Sequence, residues 1–123
     1  MSLMKIRLEL ARTAELPEGS REFGYEFIAP LTSDGHLDPD GWQRERAGCR
    51  VHRFWRGEDD QYGRLVHAGG ARWAFHYDGT ESDDDEPIFR FDRHQFVPGE
   101  YVSVTEHDGV QRTFRVIEVI PGD

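Results

Sequence analysis

Cysteine is all but missing from this 123-residue chain, where Cys49 stands alone. With no intrachain partner it excludes a disulfide framework and points to a reducing compartment, the cytoplasm. Lysine is as scarce: Lys5 is one of 15 basic residues and the rest are arginines, a bias expected of a GC-rich bacterial genome. No apolar run approaches the roughly 18 residues of a membrane span, so a membrane location is not expected. Positive charge is in deficit, 15 bases against 24 acids for a net of -9. That field repels phosphate backbones at long range and disfavours sequence-independent DNA binding. A serine elbow, a P-loop, a zincin helix and a paired-cysteine motif are all lacking, so no reaction or cofactor is called for and the reading leans away from an enzyme.

What is present reads as one compact β-rich domain over residues 4–120, long enough to bury about two-thirds of its unfolded surface without staples. Met1-Ser2-Leu3 precede a second methionine and read as vector-derived residues, with translation starting at Met4. Ile6, Leu8 and Leu10 alternate with polar neighbours as in a half-buried strand, and Phe23, Tyr25 and Phe27 give a second that Pro30 ends. Asp38 and Pro39 predict the start of a short helix ending near Ala47, with Gly48 left-handed after it and Trp42 anchoring it on a sheet. Three strands, Arg50 to Arg56, Tyr62 to His67 and Arg72 to Tyr77, then form a meander. Pro87 to Phe91 resumes a strand. Tyr101 to Glu106 and Val110 to Ile120 form a last hairpin, whose three-residue loop with Gly109 left-handed pairs Val102 with Phe114. The expected fold is mainly β: a small curved antiparallel sheet or partly open barrel of about seven strands with one short helix.

Charge is distributed unevenly, and the meander concentrates it. Gln43 to Arg56 holds five arginines and one acid, whereas Asp78 to Glu86 holds six acids and no base. A two-residue Gly69-Gly70 turn would set Val66 opposite Trp73, Arg64 opposite Phe75 and Tyr62 opposite Tyr77. If Gly57 to Asp60 closes the first hairpin, Trp55 faces Tyr62 and Arg53 faces Arg64. Two like charges are then side by side on the aromatic core face, a destabilising pair unless an anion lies between them. Either an internal acid supplies it, Glu26 or one of Asp78 to Glu86, or a guest does. Arginine forks grip carboxylates and phosphates bidentately and stack on rings. The leading expectation is therefore a bacterial binding or interaction module, with Arg53, Arg64, Trp55, Tyr62, Trp73 and Phe75 accepting a small anionic ligand or an acidic protein segment. A one-residue register change would turn both arginines to solvent.

The alternative reading is a small metal-dependent oxygenase or hydrolase using His76, Asp78 and His94, in the pattern of two histidines and a carboxylate that holds non-haem iron. Cys49 lies in sequence among Arg46, Arg50 and His52, which would favour its thiolate. A buried, inert cysteine is the expectation, because free cysteine is among the most buried residue types. The acidic run of residues 78–86 reads as a solvated loop, with a basic protein partner as its functional alternative.

Three stretches, Cys49 to Trp55, Trp73 to Asp78, and Arg90 through His94, Phe96 and Pro98 to Val104, resemble a group of small uncharacterised bacterial proteins. The resemblance covers most of residues 4–120 and implies bacterial origin. No activity is attached to that group, so it implies no catalytic residues.

Overall fold

Alternation decides which side of each strand is buried, and hairpin geometry decides which strands meet. The computed structural model describes residues 3–12, 17, 20–67, 73–78, 86–89, 95–106 and 109–122. Eight strands follow in chain order: β1 (Leu3–Leu10), β2 (Ser20–Pro30), β3 (Arg50–Trp55), β4 (Gln61–His67), β5 (Trp73–Tyr77), β6 (Glu86–Phe89), β7 (Tyr101–Thr105) and β8 (Gln111–Pro121). Each pairs antiparallel with its neighbours in sequence, and β8 returns to β1, with Ile6 opposite Val119 and Leu8 opposite Val116. The expected curved antiparallel sheet thus closes into a barrel.

Ile6, Leu8 and Leu10 point inward from β1, and Tyr25, Phe27 and Ala29 from β2. The β7–β8 hairpin takes the expected register: Val102 faces Phe114, Gly109 is left-handed at φ 81°, and Val102, Val104, Phe114 and Val116 are fully buried. Rings fill the interior. Tyr25 stacks on Phe75 at 5.0 Å, and Phe27 meets Phe75 and Phe96 edge-on at 5.2 and 5.6 Å.

The one helix, α1 (Pro39–Glu45), lies between β2 and β3. Asp38 caps it as expected, its carboxylate accepting from the Asp40 amide at 3.1 Å, with Pro39 in the first turn. Gly48 departs from expectation. The left-handed glycines among the described residues are Gly35, Gly57, Gly99 and Gly109. The helix instead tightens into a 3-10 turn over Arg46–Gly48, with the Cys49 amide donating to the Arg46 carbonyl at 3.2 Å. Trp42 anchors α1 as its position implied: it is buried against Trp73, and its indole N–H donates to the Leu65 carbonyl at 3.0 Å. α1 therefore packs on one end of the barrel, and the β3–β4 turn, whose Glu58 binds Arg53, lies at the other.

Candidate functional site

β3 and β5 present the faces read from their sequences: Val51 and Arg53 point inward from β3, and Trp73, Phe75 and Tyr77 from β5. The strand between them is turned over. His67, Leu65 and Gly63, not Val66, Arg64 and Tyr62, stand opposite Trp73, Phe75 and Tyr77. The register sets His67 against Trp73, one residue away from the one a Gly69-Gly70 turn requires, and a shift of one residue exchanges the two faces of a strand. In the first hairpin Arg53 faces Gln61, and the residue opposite Arg64 is Arg50.

The six residues expected to form one site are consequently dispersed. Phe75 is central core, and Trp73 lies at the helix end stacked on His67 at 4.2 Å. Tyr62 is 54% exposed on the outer wall, stacked on His52 at 4.7 Å, and Arg64 is exposed on the same wall. Arg53 and Trp55 alone stay together, at the end opposite the helix, with the guanidinium 4.3 Å from the indole centre.

That interior end carries its own anion. Arg53 is 3% exposed; its Nε stands 3.3 Å from Glu106 Oε2, and its Nη1 donates to Glu58 at 3.0 Å. The Tyr25 hydroxyl donates to the same Glu106 oxygen, and Arg112 approaches the other at 3.5 Å. Glu26, one acid expected in this role, lies on the outer wall and binds Arg7 at 3.0 Å. Buried charge is tolerated when paired and hydrogen-bonded, and Glu106 with Arg53 satisfies that condition without a guest. Sequence reading missed Glu106 and Arg112, because both belong to the closing hairpin: Glu106 reaches Arg53, and Arg112 reaches Glu106 and the Trp55 ring, only through the fold.

A cross-strand arginine pair nonetheless exists, on the outer wall. The Leu65 amide donates to the Cys49 carbonyl at 2.8 Å, which makes Cys49 and Leu65 a hydrogen-bonded pair. Arg50 and Arg64, the next pair along, therefore occupy a non-hydrogen-bonded position, where Cα atoms approach to about 4.5 Å and side chains lie closest. Arg46, on the turn after α1, completes the group over a cleft of about 540 Å³ lined by Trp42, Arg46, Ala47, Arg50, Arg64, Leu65 and Val66. Its guanidinium lies 5.8 Å from the Trp42 ring. Asp78 binds Arg50, Oδ2 to Nη2, at 3.1 Å. Among the described residues no carboxylate lies within ion-pair distance of Arg46 or Arg64. The signal for this cleft was in the sequence: the arginine run from Gln43 to Arg56, and Trp42 and Arg46 one helical turn apart.

His94 lies outside the described residues, as do residues 79–85; His76 is on the outer wall opposite Arg64, and Asp78 is engaged by Arg50. Among the described residues no group of three or more histidine, cysteine or acidic side chains is placed to hold a metal. Cys49 is buried, with its thiol against the Glu45 carbonyl at 3.5 Å. Burial, and secondarily the Glu45 charge, push the thiol up to about 11, so it is not the activated thiolate that neighbouring arginines would favour. No described helix is long and apolar enough to cross a membrane. Compared with known proteins, the chain matches no family model, no curated protein and no solved structure.

Proposed function

We propose that this chain is a non-enzymatic, cytoplasmic bacterial binding module that accepts an anionic ligand or acidic segment in the cleft of Arg46, Arg50 and Arg64. The observation that carries the reading is the direct cross-strand pairing of Arg50 with Arg64. Like charges opposite one another cost stability, and Asp78 offsets only one of them. The arrangement gains most from an incoming anion, which a guanidinium grips through paired N–H donors. Binding rather than catalysis fits this lining, because arginine stays protonated at neutral pH and neither gives nor takes a proton. A single buried-cysteine chain suits a reducing cytoplasm.

Arg64 is the discriminating position because it is exposed and its removal leaves the core untouched. Citrate and inorganic phosphate, titrated by calorimetry at low salt, are expected to bind the parent chain, and Arg64→Ala is expected to weaken them about tenfold. Its unfolding free energy should stay within about 0.5 kcal/mol of the parent. Equal binding by parent and variant would remove the cleft as the site.

A further inference from the structure

Resting on the cleft reading above, we infer that its ligand is a compact molecule ending in a phosphomonoester, and that Asp78 is the internal acid competing with it for Arg50. Three guanidiniums line the cleft and, among the described residues, one carboxylate offsets them, a local charge of +2. A phosphomonoester carries about -1.5 to -2 at neutral pH and presents three strong acceptor oxygens, one for each arginine fork. A carboxylate brings one charge and two oxygens, and a sulfate ester has the oxygens but only one charge.

Compactness follows from size and field. A cleft of about 540 Å³ holds a small molecule rather than a chain. The whole protein carries -9, so a long polyanion would extend out of the arginine patch into a repelling field, whereas a compact dianion stays within a Debye length, about 8 Å at physiological salt, of the three arginines. The lining also includes Ala47, Val66 and Trp42, apolar surface for a body behind the phosphoryl group. Asp78 meets Arg50 through one nitrogen, with both partners exposed, so its contact is readily exchanged.

The matched probes are phenyl phosphate and phenyl sulfate, which share a shape and differ in charge, with benzoate, a hexaglutamate peptide and a single-stranded oligonucleotide alongside. Calorimetry on the full chain at pH 7.5 should show phenyl phosphate binding about tenfold more tightly than phenyl sulfate or benzoate. Asp78→Asn should tighten phenyl phosphate about threefold, the scale of one exposed ion pair, and Arg50→Ala and Arg64→Ala should each weaken it. Equal affinity for phenyl phosphate and phenyl sulfate would overturn the phosphomonoester assignment while leaving an anion site standing. Preference for the peptide or the oligonucleotide would overturn compactness. No shift on Asp78→Asn would remove Asp78 as competitor. Failure of every probe, citrate included, would bring down the binding reading itself.

Discussion

Glu106 and Cys49 show how much depends on what a single buried group is given for company. Glu106 holds Arg53 and receives the Tyr25 hydroxyl, with both Glu106 and Arg53 buried. Glu106→Gln keeps the shape but leaves a buried guanidinium short of its counter-charge, and breaking such a pair costs about 3–5 kcal/mol. Tyr25→Phe removes one neutral donor and should cost about 1–3 kcal/mol. Urea denaturation should rank the two in that order; the reverse order would mean that Arg53 is neutralised chiefly elsewhere. Cys49 is kept as a thiol by burial. Its folded value of about 11 lies above the ordinary 9.0, so the native state retains a proton that the unfolded chain loses. The associated stability is full below pH 9 and falls as pH rises towards 11, by about 2–3 kcal/mol at 1.36 kcal/mol per pH unit. Denaturation midpoints from pH 8 to 11 should decline more in the parent than in Cys49→Ala, and Ellman's reagent should reach the thiol only on unfolding.

At the level of the elements, the hairpin joining β7 to β8 and the turned-over β4 mark what a sequence can reveal. The former was legible because Gly109 specified a loop length, and the loop length specified the register that buries Val102 with Phe114. In β4 the loop was the misleading signal: Gly69-Gly70 resembles a tight turn, and adopting it placed Arg64 inside. The strand itself held the better clue, because Gly63-Arg64-Leu65 is consistent with alternation only if the arginine faces water and Leu65 faces the core. Two of the six candidate residues, Tyr62 and Arg64, were lost with that phase, and the cross-barrel partners of Arg53 were beyond any local pattern. Gly63 explains why β4 tolerates only this placement. A Cβ there would stand 2.0 Å from the His76 carbonyl oxygen, against backbone that has no flexible end to move. Gly63→Ala should therefore cost about 2–3 kcal/mol by thermal or urea unfolding. Gly57→Ala, left-handed at φ 87° but in open space, should cost about 1 kcal/mol. Comparable costs would mean that β4 and β5 can separate to admit a methyl group.

The molecule as a whole joins a closed wall to an uneven charge, and the first makes the second usable. An open sheet would leave β1 and β8 as unpaired edges. Here β1 is an interior strand of the ring, with Ile6 between Phe27 of β2 and Val119 of β8, and Leu8 between Tyr25 and Val116. Closure leaves no β1 or β8 edge from which fraying could spread to the β3–β4 pairing that sets Arg50 against Arg64. Native-state hydrogen exchange reads this directly, because alternate amides of β1 donate to different neighbours. Both sets should exchange only through global unfolding, with opening free energies equal to the denaturation value. If the set facing β8 exchanged several kcal/mol more easily than the set facing β2, the seam would open on its own. The barrel would then be a curled sheet in solution, and the arginine pair would sit on a wall free to flex apart.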